Sequence, residues 1–236
     1  MSLLRIDTSI RARGSQSRGA PVVIELWTDL GCPWCYVGKH RLQRAIDRRP
    51  DADRFQIKLR SFELNPDAPR EPESIESAFT RSHGGNAEAV LSAERRIQGI
   101  AQREGLAFSL DRLNANTFDF HRILQHANEQ GRGLEFFSHV QDRFFAGELN
   151  PFDPNALTRA AGTVGLAVDR VLEVLAGQDY AEAAHSDRRE GQELGLSGVP
   201  FVVFDRRVAA PGAQSVEVYE QILEQVAPLT TPMGAR

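Results

Sequence analysis

The chain has 236 residues, 41% of them hydrophobic, which is enough to bury a sizeable core as one elaborated domain or two joined ones. Its net charge of -4 and pI near 5.9 come with Lys and Arg scattered rather than bunched, so the basic footprint of a nucleic-acid binder is missing. No run approaches the roughly 18 apolar residues of a membrane span, and residues 1–20 lack a signal peptide's apolar stretch, which points away from the membrane and towards the cytoplasm.

Residues 1 to 19 are rich in Arg, Ser and Gly with little to pack, and are expected to form a flexible leader. Val22 to Thr28 (VVIELWT), entered through Pro21, reads as a buried strand. A tight turn, DLGCP, follows it. From Pro33 the apolar positions Trp34, Val37, Leu42, Ala45 and Ile46 recur at helical spacing, up to the break at Pro50-Asp51. Phe55 to Phe62 alternates as a half-buried strand does, so the first sixty residues read β-α-β, with a right-handed crossover and parallel pairing. Asn65 to Pro72 is a connecting loop.

Helical patterns then fill most of the middle of the chain: Ile75 to about Glu104, Phe118 to Glu129, Leu134 to Ala146, Pro154 to Val164, Val168 to Ala176 and Asp179 to Leu194. Gly105, Asn114, Gly131, Gly133, Gly147, Gly165 and Gly177 punctuate them. Strand character returns at Pro200 to Phe204, followed by a polar turn at Asp205 to Arg207 and a short Val208 to Ala210, which together make a hairpin. A last amphipathic helix, Ser215 to Val226, carries Val218, Ile222, Leu223 and Val226 on one stripe. The order of elements fits an α/β, thioredoxin-like fold with a mixed sheet, a β-α-β half and an α-β-β-α half. Residues 20–63 and 180–228 would form that domain, 64–179 a large inserted helical subdomain, and 229–236 a flexible tail.

The chain has two cysteines, Cys32 and Cys35, so a secreted disulfide framework is excluded by count. No His pair accompanies them as a structural zinc site would need. Two buried cysteines serving as small hydrophobes is the plain alternative, but the pair directly follows a strand and opens a helix. Pro33 falls at the first helical position, where its missing N–H costs nothing. Cys32 is then the N-cap, facing unpaired backbone N–H groups and the positive end of the helix dipole, both of which favour thiolate over thiol. Cys35, one turn in, is expected to be more buried. Cys32 therefore reads as the nucleophile that forms a mixed disulfide and Cys35 as the residue that resolves it.

A second signal lies far away in sequence. Gly198-Val199-Pro200 enters the strand FVVF, where a proline is permitted because it need not donate. An ordinary trans bond is the common reading. A cis bond would leave the Val199 backbone free to pair with an incoming peptide. Pro33, Trp34, Val199, Pro200 and His121 are assigned to substrate contact, with packing as the competing role for Trp34 and a core or solvated histidine as that for His121. Tyr36 reads as packing. The Arg-rich HRLQRAIDRR (40–49) reads as a solvated helix face, and SHGGNAE (82–88) is no phosphate loop because it lacks a Lys-Ser/Thr ending.

The segments DLGCPWCYVGK (29–39), FELNPDAP (62–69), NTFDFHRI (116–123), SGVPFVVFD (197–205) and GAQ (212–214) together resemble the FrnE-like branch of the DsbA family, within the thioredoxin superfamily. The resemblance spans about residues 21 to 227. It implies dithiol–disulfide exchange at Cys32 and Cys35, a cis bond at Pro200, and a helical subdomain over the active site. It also implies that the FELNPD loop, the Asn116 to His121 region and GAQ line one cleft. Some members carry a further C-terminal cysteine pair. This chain has none, so electrons would pass directly between Cys32/Cys35 and an external partner.

The expected function is a disulfide reductase or isomerase acting on protein or small-molecule thiols and disulfides. No resident cofactor or metal is expected, glutathione fits as a thiol co-substrate, and a homodimer stays open. Two other readings compete with it. One is a glutathione-dependent isomerase or transferase like the kappa-class and hydroxychromene-carboxylate isomerase enzymes, which rely on a single nucleophilic position. The other is a non-catalytic, chaperone-like binder of apolar segments.

Overall fold

A computed structural model of the chain describes residues 4–5, 21–83 and 87–229. A five-stranded sheet is built from β1 (Leu4–Arg5), β2 (Val22–Thr28), β3 (Phe55–Ser61), β6 (Phe201–Phe204) and β7 (Val208–Pro211), in the order β1-β7-β6-β2-β3. The central β2 runs parallel to β3, from Val22 opposite Phe55 to Thr28 opposite Ser61, and antiparallel to β6. Six of its seven residues are buried, because both faces of the sheet are covered. The hairpin β6–β7 turns through Asp205 and Arg206, both at positive φ.

Helix α1 (Pro33–Asp47) links β2 to β3 and packs with α9 (Val216–Val226) on one face of the sheet. Ile24 and Leu26 meet Val37, Leu42, Tyr219 and Ile222 in that layer. On the other face Trp27 joins Phe62, Leu196, Phe201 and Val203, covered by α8 (Ala181–Glu193). Gly191 of α8 lets the helix approach closely, since a Cβ there would lie 2.7 Å from Trp27 Nε1. Trp27 Nε1 donates to the Asp187 carbonyl at 2.6 Å.

Between β3 and β6 the chain is mainly helical: α2 (Ile75–His83), α3 (Ala87–Arg103), α4 (Phe118–Glu129), α5 (Gly133–Phe145), α6 (Pro154–Thr163) and α7 (Val168–Ala176) precede α8. The outer edge of β3 is closed by side chains rather than by another strand. Asn128 Nδ2 donates to the Leu59 carbonyl at 2.9 Å, and the Ser61 N–H donates to Asp187 Oδ2 at 2.9 Å.

Four sequence expectations need correction. The pattern from Ile75 to Glu104 forms two helices, α2 and α3. Residues 84–86, within the Gly-rich SHGGNAE stretch, lie outside the described residues. Two-residue strands β4 (Glu73–Ser74) and β5 (Leu113–Asn114) pair antiparallel, β4 directly after the loop expected at Asn65 to Pro72 and β5 where only a break at Asn114 was expected. Within the expected leader, Leu4 and Arg5 pair with Ala209 and Val208 as the edge strand β1. Pairs this short are held by backbone hydrogen bonds and leave no periodicity to read. The Arg face of α1 is paired rather than merely solvated, because α3 and α9 flank the helix. Arg41 and Arg44 bind Glu104, Arg48 binds Glu220, and Arg49 binds Asp51 and Glu224.

Candidate active site

The two cysteines sit where β2 ends and α1 begins. Cys32 caps the helix with φ -78° and ψ 114°, and Pro33 occupies the first helical position. The Cys35 N–H donates to Cys32 Sγ at 3.3 Å, so one of the helix's unpaired donors points at that sulfur. Both thiols are free and buried, Cys32 at 4% exposure and Cys35 at 0%. Burial pushes the Cys35 thiol well above its ordinary range and the adjacent Cys32 sulfur adds to this, opposed in part by the Thr28 hydroxyl and the Asp29 backbone. At neutral pH Cys35 is a thiol.

The loop before β6 approaches from across the sheet. The Val199–Pro200 peptide is cis, and the Cys32 thiol faces the Val199 carbonyl at 3.7 Å. Gly38 makes this approach possible. A Cβ at 38 would lie 3.1 Å from Pro200 Cγ and 3.2 Å from Ala213 Cβ, so α1, the Pro200 loop and the GAQ segment meet at that point. Arg41 ties the same segment down through the Ala213 and Gln214 carbonyls.

A third strip comes from the end of β3. Phe62 N–H donates to the Thr28 carbonyl at 3.2 Å, and Leu64 N–H donates to Asp29 Oδ2 at 2.8 Å. Asp29 Oδ1 lies 3.2 Å from His121 Nε2, and Gln141 Nε2 donates to the Asp29 and Leu30 carbonyls at 3.4 and 3.3 Å. Buried Asp29 is thus the joint between the cysteine turn, the FELN loop and α4. Beside it Glu63 is 7% exposed and meets little more than Asn116 Nδ2 at 3.5 Å. Burial raises the Glu63 carboxyl above its usual range; His121, His185 and Arg188 oppose this and Asp29 adds to it.

The predicted site residues divide into two groups. Cys32, Cys35, Pro33, Val199 and Pro200 come together at one point, and Trp34 projects beside them at 37% exposure. His121 is fully buried and addresses the cysteine turn through Asp29, not by reaching the surface. Tyr36 packs, stacked on Phe145 at 4.4 Å, with burial pushing its hydroxyl up to about 12. Sequence reasoning placed the FELNPD loop at the cleft without singling out Glu63, and missed Asp29 and Gln141 as site residues. The signal available for Asp29 was its place in the DLGCP turn, three residues before Cys32, and that for Glu63 its place in the FELNPD loop; Gln141 carried none.

A concavity of about 330 Å³ between Arg70, Asn116, Phe120, Phe152 and Leu175 shares Asn116 with this region but holds neither cysteine. Among the described residues no three His, Cys, Asp or Glu side chains converge as a metal site would require. No helix among them is long and apolar enough to cross a membrane.

Sheet order, inserted helices and a dithiol at a helix N-terminus define a thioredoxin-fold protein of the oxidoreductase class. A family model described as the DSBA-like thioredoxin domain matches residues 23–224, and the chain belongs to that family. It is similar to SCO1869 of Streptomyces coelicolor, described as a probable DsbA oxidoreductase, at 36% identity and a TM-score of 0.82, covering 91% of this chain and 94% of that one. Protein YwbO of Bacillus subtilis is 24% identical over 212 residues, 86% of this chain and 96% of that protein. The fold also matches the cytosolic disulfide reductase DsbM of Pseudomonas aeruginosa, at 15% identity and a TM-score of 0.59, covering 86% of this chain and 97% of that one. DsbM also has a solved structure with GSH.

Proposed function

We propose that the protein is a thiol–disulfide oxidoreductase of the reductase or isomerase type, belonging to the FrnE-like branch of its family. The observation that carries this reading is the asymmetry of the pair: Cys32 at the helix N-cap, its sulfur receiving the Cys35 N–H and facing the Val199 carbonyl, with Cys35 wholly buried behind it. In the reduced protein the Cys32 thiolate attacks a substrate disulfide R–S–S–R′. A Cys32–S–S–R bond forms and R′S⁻ leaves. Cys35 then loses its proton and attacks the Cys32 sulfur, releasing RS⁻ and closing the Cys32–Cys35 disulfide. The substrate gains two electrons, the pair loses two, and an external thiol restores it.

The burial that keeps Cys35 protonated also gives the steps their order. The buried sulfur acts only once a mixed disulfide at Cys32 offers a target within reach. Pro33, Trp34, Val199 and Pro200 form the contact surface for the incoming chain, and His121 supports it through Asp29. Substrates are thiols or disulfides of proteins or small molecules, with glutathione as co-substrate and the cytoplasm as the compartment. DsbM, named as cytosolic and solved with GSH, supports both assignments.

The test is insulin reduction with dithiothreitol. Cys32→Ser is expected to lose turnover, and Cys35→Ser to accumulate a mixed disulfide with its substrate. Unchanged turnover in Cys32→Ser overturns the reading. Full glutathione-dependent turnover in Cys35→Ser would instead favour a transferase or isomerase that needs one nucleophile. Suppression of aggregation by the double Ser variant, with no redox activity in the wild type, would favour a chaperone-like binder.

A further inference from the structure

One side of the Arg41 fork holds a turn beside the cysteines, and the other holds the end of α3. Arg41 Nη1 donates to the Ala213 and Gln214 carbonyls at 3.3 and 3.4 Å, while Nε and Nη2 donate to Glu104 Oε1 at 2.8 and 2.5 Å. Glu104 directly follows α3 and is itself fixed twice more, because Arg44 Nη1 reaches its Oε2 at 3.2 Å and Arg44 Nη2 its carbonyl at 2.5 Å. The Arg41 and Glu104 side chains are 17% and 18% exposed, so the pair escapes much of the screening that weakens a surface bridge.

The turn that Arg41 holds is wired to the nucleophile by a short chain of contacts. Pro211 ends β7 opposite Phe201, the first residue of β6. Gly212, at φ 74°, donates its N–H to the Pro200 carbonyl at 2.7 Å. Ala213 lies against α1 at Gly38, where Pro200 also lands, and Gly38 shares a helix face with Arg41 three residues on. The preceding Val199 carbonyl faces Cys32 Sγ at 3.7 Å. A rigid planar group with donors on both edges is what holds two carbonyls and a carboxylate at once. At Gly38 there is no side chain to follow the turn outwards, so Pro200 and Val199 lose their backing if the turn moves.

We propose that Arg41, braced by Glu104, is a positioning residue that holds the 211–214 turn against Pro200 and so sets the Val199 backbone beside Cys32 for an incoming chain. The inserted helix α3 thereby has a direct hold on the cysteine site. This rests on the oxidoreductase reading for its substrate but not for its geometry.

Two measurements test it without turnover: hydrogen exchange at the Gly212 amide, and labelling of the reduced protein by neutral iodoacetamide. Arg41→Ala is expected to speed Gly212 exchange about tenfold or more, the effect of losing a charge-assisted hold on the turn. Cys32, 4% exposed, should label about three- to tenfold faster, while Cys35 stays unlabelled and the β2 amides exchange as in wild type. Arg41→Lys should recover part of both effects, and Glu104→Gln should show them more weakly, since an amide oxygen still accepts. Arg48→Ala, which removes an exposed bridge to Glu220, should match wild type. Unchanged Gly212 exchange or unchanged Cys32 labelling in Arg41→Ala overturns the proposal. So does parallel labelling of Cys32 and Cys35 with all core amides faster, because Arg41 would then be a general stabiliser only.

Turnover then tests the substrate. Arg41→Ala should raise KM for a peptide disulfide about threefold or more at near-constant kcat, and leave hydroxyethyl disulfide, which has no peptide backbone to pair, near wild type. Equal losses with both substrates overturn the role in holding Val199 for a chain. If no disulfide is turned over while Gly212 and Cys32 still follow Arg41, the oxidoreductase reading fails and the positioning role stands.

Discussion

Two charged clusters border β3 and α8, and they are wired differently. At the far one Glu25 is bound by both Arg60 and Arg206, Arg206 also reaches Glu190, and Asp187 takes Arg60, the Ser61 N–H and Gln125. Each of these charges has a partner, and the network clamps α8 and the β6–β7 turn onto the sheet. At the near one Glu63 takes one long hydrogen bond from Asn116 and meets the charges of His121, His185 and Arg188 only through space, while Arg188 and His185 rest on the rings of Phe62 and Phe118. Charges in direct contact clamp the fold, whereas charges that act only through space leave a buried carboxyl poorly held.

The largest effect that would break this contrast comes from Asp187→Ala. It strands the buried Ser61 N–H and removes one of the three carboxylates around Arg60, which keeps Glu25 and Glu190, and is expected to cost about 2–4 kcal/mol in chemical denaturation. The Cys32 alkylation rate of the protein that remains folded should stay near wild type. Gly191→Ala comes next. Its Cβ would fall 2.7 Å from Trp27 Nε1 and 3.0 Å from Leu196 Cδ1, so overpacking should cost about 1–3 kcal/mol and shift the tryptophan fluorescence. No effect on either readout would mean that α8 is not seated as described.

The two clusters should also titrate with opposite sign. Burial works to raise the Glu25 carboxyl, but Arg206 and Arg60 outweigh it and hold the group below its ordinary 4.5. A lowered folded value means that its stabilisation is present above 4.5 and lost as pH falls through the folded value. Glu63 is raised, so its ionisation works against folding, and stability is recovered as pH falls through its folded value towards 4.5. Glu63→Gln should therefore raise the melting temperature at pH 7 and lose that advantage at pH 3. Glu25→Gln should lower it at pH 7. Melts at the two pH values decide both signs. The smallest effect on stability is expected of Trp34→Ala, within about 0.5 kcal/mol for a side chain 37% exposed, together with a raised KM for peptide disulfides.

Most of this layout was legible in the residue pattern. The run VVIELWT lies in β2, FQIKLRS in β3, and the proline after Cys32 does open a helix capped by that cysteine. What escaped was pairing over distance. Asp29 reaches His121, Gln141 reaches the Asp29 and Leu30 carbonyls, and Arg41 reaches Glu104, each through a single polar side chain on a separate element. Such contacts have no period, since any Asp, Gln or Arg at a helix surface looks alike until the partner element is docked. The division of one long helical pattern into α2 and α3, and the pairing of Leu4–Arg5 with β7, were hidden for the related reason that short backbone features need no apolar repeat.

The sequence by itself determined the strand–helix–strand order, the capping of α1 by a cysteine and the placing of its second cysteine one turn in, because local propensity and helix-end chemistry act over a few residues. Only the tertiary structure decided that Cys35 is sealed from solvent, that Val199 faces Cys32, and that Asp187 turns inward while its neighbour Arg188 lies over the Phe62 ring. Those outcomes depend on which surfaces the sheet and the inserted helices bury against one another, and burial is a property of the assembled chain.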